Sequence, residues 1–148
     1  MKVKIKRIDK TLPLPVYETS GAVGFDLIAR VATTVEPRQI ALIPCNVIVE
    51  IPAGYMLQVS PRSGTPRKKG LTSPHGVGII DQDYSGPEDE LGFLCYNFTD
   101  KPTTVERGEK VAQGVFVKVD RAEWQEVEEV QKPTRGGFGS TDKAKGGK

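Results

Sequence analysis

A chain of 148 residues with a net charge of +2 and two cysteines amounts to one domain, large enough to bury about 70% of its unfolded surface without disulfides. The charge is too small to argue for a nucleic-acid partner. Cys45 and Cys95 form no CxxC pair, and a small secreted scaffold would normally carry more cysteines, which favours a reducing compartment, where both act as small buried hydrophobes.

No apolar run approaches the ~20 residues of a membrane span, and Met1 leads directly into lysines alternating with Val3 and Ile5. The expected location is the cytoplasm, with no membrane partner. With 16 glycines and 11 prolines, the punctuation suits many short strands joined by tight turns.

Val3 and Ile5 have the period of a half-buried first strand. A proline-broken extended segment follows, from Leu12 to Val16. Residues 25–29 read as a second strand, opened by Gly21 and Gly24. Residues 39–51 hold one or two more, with Pro44 marking a break or an edge. Residues 55–60 continue the pattern until Pro61. The best short helix is Gly64 to Lys69, closed by Gly70. Residues 77–80, 91–98 and 110–119 are further strands. Trp124, Val127 and Val130 recur at helical spacing, yet the β-rich surroundings favour a strand there. Residues 1–131 are thus expected to form an all-β barrel or sandwich with one short helix. Residues 132–148, glycine-rich and charged, are expected to be a flexible tail.

Several chemistries are excluded. Gly76-Val77-Gly78 followed by Asp81 imitates a dinucleotide fingerprint but lacks its third glycine and its helix. One histidine, His75, and two distant cysteines cannot assemble a zinc set at ordinary spacing. No nucleophile elbow singles out a serine. What remains is oxygen chemistry: aspartates for Mg²⁺ and water, arginines and amides for an anion.

Five segments carry that chemistry. Gly78-Ile79-Ile80-Asp81-Gln82-Asp83-Tyr84-Ser85-Gly86 delivers Asp81 and Tyr84 to the end of an apolar run, where a carboxylate is expected to be partly dehydrated yet reachable. Residues 17–27 put Asp26 at the head of a strand after a glycine turn. Pro61-Arg62-Ser63-Gly64 opens a helical turn with a guanidinium, a hydroxyl and amides. Residues 107–113 enter a strand bearing Gln113. Gly136-Gly137-Phe138-Gly139-Ser140-Thr141 follows Arg135. Each alone has a plainer explanation as a turn, a cap, a buried amide or a frayed end.

Together, in this order, they resemble the trimeric dUTPases over essentially the whole chain. The resemblance implies a β-clip or jelly-roll subunit, a homotrimer with active sites at subunit boundaries, and Mg²⁺-assisted hydrolysis of dUTP to dUMP and pyrophosphate by water attack at the α-phosphorus. That activity keeps uracil out of DNA and supplies dUMP for dTMP synthesis. It further implies that Asp81 activates the water and meets the 3′-hydroxyl, and that Tyr84 lies under the deoxyribose. Asp26 would act through the metal's water shell, while Arg62, Ser63, Gly64 and Gln113 face the phosphates. The backbone of Val77, Gly78 and Ile80 would read uracil. Phe138 and Gly139 would close over the nucleotide, with Arg135, Ser140 and Thr141 at the γ-phosphate.

Three places depart from the family pattern. Arg135 abuts the Gly-Gly-Phe-Gly run, His75 stands where many relatives have asparagine, and Ser85 to Glu90 is longer and more acidic than usual. The competing readings are a dCTP deaminase on a related fold, a nucleotide-sensing regulator without turnover, and a β-barrel nucleic-acid module. The deaminase pattern usually lacks the Gly-Phe-Gly-Ser-Thr tail and has a second serine where this chain has Gly64. Asp81, Tyr84 and the tail together argue against a pure sensor.

Overall fold

The computed structural model describes residues 1–137. Within them lie eleven strands and one short helix. The strands are β1 (Ile5–Arg7), β2 (Phe25–Ile28), β3 (Thr33–Val35), β4 (Ile40–Pro44), β5 (Val47–Val49), β6 (Tyr55–Pro61), β7 (Leu71–Thr72), β8 (Gly78–Ile80), β9 (Gly92–Asn97), β10 (Thr103–Val105) and β11 (Lys110–Lys118). Helix α1 spans Gly64–Lys69. The sheets are small: β2-β11-β6-β8, β4-β9-β7, β1-β5 and β10-β3. Every pairing is antiparallel, as the expected all-β, jelly-roll-like class requires.

Period-two patterning drives this packing. Along β9, Phe93, Cys95 and Asn97 point inward while Gly92, Leu94 and Tyr96 stay half-exposed. Along β2, Phe25 and Leu27 are buried and Asp26 and Ile28 face the other way. β5 is buried at every position, so its run of Val47, Ile48 and Val49 is covered on both faces. The core joins Phe25, Leu27, Ile43, Leu57, Phe93 and Val105 with their neighbours across all four sheets. Both cysteines lie in it as free thiols. Burial pushes Cys45 up to about 12 and Cys95 up to about 11.

Helix α1 ends where Gly70 takes φ 65°, and its N–H donates to the Pro66 carbonyl at 3.0 Å. A Cβ at Gly70 would lie 2.1 Å from Thr99 Cγ2, so both the backbone angle and the contact demand glycine. The helix is tied to β11 by the buried Thr65 hydroxyl, which donates to the Val111 carbonyl at 2.9 Å.

Two expectations are corrected. Val3 lies outside the first strand and packs against the core from a neighbouring loop. Trp124, Val127 and Val130 form neither strand nor helix; they are 95%, 57% and 78% exposed. Among the described residues this stretch pairs with no strand, and a strand without a partner leaves its backbone unpaired. Residues 119–137 hold no regular element.

Candidate active site

A polar cluster forms where β2, β11 and β6 run side by side. Register places Gln113 opposite Asp26 on one side and opposite Ser60 on the other. The β2–β11 ladder shifts between Lys110 and Ala112. This bulge turns Lys110 onto the face that carries Asp26, where an unbroken ladder would have sent it to the opposite one. Asp26 is only 12% exposed and sits between two cations: Arg62 Nε lies 2.6 Å from Oδ1 and Lys110 Nζ lies 2.9 Å from Oδ2. Lys110 also pairs with Glu18. Glu18 and then Asp26 push the lysine's pKa up.

Within this cluster, Oδ2 of Asp26 is buried and, among the described residues, its near partner is the Lys110 ammonium, which leaves acceptor capacity on that oxygen. Gln113 Nε2 donates to the Pro61 carbonyl at 3.3 Å, immediately before Arg62. A Cβ at Gly24 would come 3.2 Å from the Gln113 amide oxygen, so a glycine there leaves room for that side chain. Ser63 occupies the N-cap position of α1, but its hydroxyl makes no capping bond and the residue is exposed. Arg62, Ser63 and Gly64 therefore present a guanidinium, an uncommitted hydroxyl and a helix-start backbone beside Asp26 and Gln113.

The second group lies around β8, which pairs only with β6 and forms the edge of its sheet among the described residues. Its outer backbone groups have no strand partner, which is the arrangement a base edge could read. A depression of about 340 Å³ beside it is lined by Val77, Gly78, Ile80, His75 and Phe93, among others. The His75 ring is held by Ser73, with Oγ and Nδ1 3.0 Å apart. Beyond β8 the chain turns through Asp81 and Tyr84, whose N–H donates to the Asp81 carbonyl at 3.3 Å. A second hollow of about 570 Å³ meets Asp81, Asp83, Gln82, Tyr55 and Arg121. Asp81 is exposed here, so the expected partial dehydration is not supplied by the described residues. The side chains of the apolar run that precedes it alternate across the two faces of β8.

The structure thus gathers Asp26, Arg62, Ser63, Gly64 and Gln113 in one place and Val77, Gly78, Ile80, Asp81 and Tyr84 in another. Arg135 lies in an exposed stretch without regular structure. Phe138, Gly139, Ser140 and Thr141 fall outside the described residues. Lys110 and Glu18 were not foreseen, because only the bulge brings Lys110 to the Asp26 face. Among the described residues no group of three or more His, Cys, Asp or Glu is placed to hold a metal ion by itself, and no helix is long and apolar enough to cross a membrane.

Comparison with known proteins identifies the family. The family model described as dUTPase matches residues 10–142. A deoxyuridine 5′-triphosphate nucleotidohydrolase of Hydrogenobaculum sp. is 39% identical over 144 residues, covering 95% of this chain and 98% of that protein. The crystal structure of a dUTPase from Streptococcus mutans superposes with a TM-score of 0.74 at 33% identity, covering 81% of this chain and 98% of that one. The dUTPase of Staphylococcus bacteriophage 80alpha, solved with dUPNHPP, reaches a TM-score of 0.82 at 26% identity over 94% of this chain and 97% of its own. The chain belongs to the dUTPase family.

Proposed function

We propose that this chain is a dUTP diphosphatase that converts dUTP and water to dUMP and pyrophosphate at sites shared between subunits of a homotrimer. Family membership supports dUTP hydrolysis, and a relative solved with dUPNHPP supports the substrate. The observation that carries the shared site is the separation of its two halves along β6. Asp81 follows Ile80, which pairs with Leu57, whereas Arg62 follows the last residue of β6. A triphosphate held by Arg62 of one chain therefore needs the Asp81 turn of another.

In this reading Asp81 Oδ accepts a proton from the attacking water as its oxygen bonds to the α-phosphorus. The bond from that phosphorus to the bridging oxygen breaks, and pyrophosphate departs. Arg62, the Ser63 hydroxyl, the Gly64 amide and Gln113 hold the phosphate oxygens and oppose the charge that develops on them. Val77, Gly78 and Ile80 offer uracil the free edge of β8. A site that bonds O4 and N3–H leaves the donor pattern of cytosine unpaired, a strong discriminator. The Tyr84 ring lies under the deoxyribose and leaves no room for a 2′-hydroxyl. Phe138 and Gly139 cover the nucleotide, with Arg135, Ser140 and Thr141 on the γ-phosphate.

A divalent metal is general to this family, and Mg²⁺ is the one proposed. It keeps most of its waters and shares the substrate's phosphates, so it asks for an acceptor toward its water shell more than for direct ligands. The acceptor capacity left on Asp26 Oδ2 fits that request. When bound, Mg²⁺ would neutralise triphosphate charge and help align it for attack. Residues 132–148 are proposed as a separate closing segment, and the cytoplasm as the location, in keeping with two free thiols. The test is pyrophosphate release from dUTP, dCTP, dTTP and UTP, with and without Mg²⁺. Release from dUTP alone, dependent on a divalent metal, is expected. Conversion of dCTP to a deaminated nucleotide, or binding without turnover, would overturn the reading.

A further inference from the structure

Tyr84 is 40% exposed, so packing alone does not fix its ring. Its hydroxyl donates to the backbone carbonyl of Glu90 at 3.3 Å, closing the loop from Ser85 to Asp89 at its base. Glu90 is in turn held on three sides. Arg30 Nε and Nη2 reach its two carboxylate oxygens at 2.8 and 2.9 Å, a two-pronged pair whose side chains are 30% and 17% exposed. The backbone N–H of Asn46 donates to Oε1 at 2.8 Å. The next residue, Leu91, donates its N–H to the Val47 carbonyl and accepts from Cys45 N–H, both at 2.8 Å.

Asn46 is itself fully buried, with φ 68°, and its amide bonds both backbone groups of Asp9, at 2.7 and 3.1 Å. Glu90 is therefore anchored in the core edge. Among the described residues the loop it closes makes only internal hydrogen bonds, such as Gly86 N–H to Asp89 Oδ2 at 2.6 Å. A fork between a guanidinium and a carboxylate fixes orientation as well as distance.

We infer that Glu90, locked by Arg30 and Asn46, is the positioning residue that sets the Tyr84 ring against the sugar, so that discrimination between dUTP and UTP depends on a carboxylate that touches neither. This rests on the proposed role of Tyr84 as the gate. Glu90 acts through its carbonyl: freeing its side chain lets the backbone at residue 90 shift, and the tyrosine hydroxyl follows.

The test measures kcat/KM for dUTP and UTP in wild type, Tyr84→Ala, Tyr84→Phe, Glu90→Gln, Arg30→Lys and the Glu90→Gln/Tyr84→Phe double variant, with melting curves for each. Glu90→Gln and Arg30→Lys should each raise the UTP-to-dUTP ratio roughly 3- to 10-fold, the range for loss of one positional hydrogen bond. Arg30→Lys keeps the charge, which guards against loss of the fold. In the Tyr84→Phe background Glu90→Gln should add nothing, because the link it serves is already gone. Tyr84→Ala shifting the ratio while Glu90→Gln and Arg30→Lys leave it unchanged would overturn the inference and spare the gate. So would full additivity in the double variant. An unchanged ratio in Tyr84→Ala would overturn both.

Discussion

Asp81 and Arg62 lie toward opposite ends of the β6–β8 pair. Ile80 is registered against Leu57, which puts Asp81 level with Met56, and Arg62 stands just past Pro61, so about six residues of strand, roughly 20 Å of rise, separate them. The carboxylate proposed to activate water and the guanidinium proposed to hold phosphate thus belong to different ends of one subunit. A symmetric ring of subunits joined head to tail brings one end of each chain to the other end of its neighbour.

Asp81→Asn should preserve fold and nucleotide binding while removing the proton acceptor. Loss of a positioned base lowers turnover by ~10²–10⁴-fold. Single-turnover kinetics beside a dUTP titration would separate the two effects. Retention of more than about a tenth of wild-type turnover would place the base elsewhere.

Asp26→Asn should weaken both stability and catalysis. The substitution leaves Arg62 and Lys110 facing a neutral amide. Both cations are 40% exposed, so solvent screens them and the loss should be about 1–2 kcal/mol, below that of a fully buried pair. Chemical denaturation and pyrophosphate release measure the two consequences. A variant equal to wild type in both would remove Asp26 from the site.

The chain ending at Pro133 should melt within a few degrees of the full-length protein, because residues 119–137 add no strand or helix to the core. Its dUTP turnover should be poor. Phe138→Ala should fall between it and wild type, since stacking of a base on a ring is worth ~1–3 kcal/mol. Unimpaired turnover by the shortened chain would exclude the tail from the reaction.

The buried thiols predict an alkaline loss of stability. Unfolded cysteine ionises near pH ~8.5, whereas the fold holds Cys45 up to about 12 and Cys95 up to about 11. Their contribution is complete below the unfolded value and is lost as pH rises through the folded values, by about 1.4 kcal/mol per unit per thiol. Urea midpoints between pH 7 and 10.5 should fall less steeply for a Cys45→Ala/Cys95→Ala variant than for wild type. Parallel slopes would contradict the assignment.

What could be read from sequence follows the physics of each segment. Helix α1 was legible because Gly64 and Gly70 bracket it and Gly70 has to adopt a left-handed angle. The break at Pro44 was legible because proline ends a ladder. Strands β3, β7 and β10 span only two or three residues. They exist through long-range partners, so no local period announces them. Lys110 was hidden by the bulge and Glu90 by its place in an acidic run that reads as a solvated turn. Trp124, Val127 and Val130 carry apolar surface that the described residues leave largely exposed. The exposure of Asp81 has a similar cause: the local sequence brings it to the end of β8, where the described residues leave it exposed.

Subunit complementation tests the shared site most directly. Asp81→Asn and Arg62→Ala chains, each nearly inactive alone, are unfolded together, refolded at equal concentration and assayed for pyrophosphate release from dUTP. If the two residues meet across a subunit boundary, random assembly restores both to about a quarter of the sites, and turnover should rise toward that fraction of wild type. A refolded mixture no more active than its components, with mixed oligomers demonstrated by mass spectrometry, would place Asp81 and Arg62 of one chain in the same site and contradict the account.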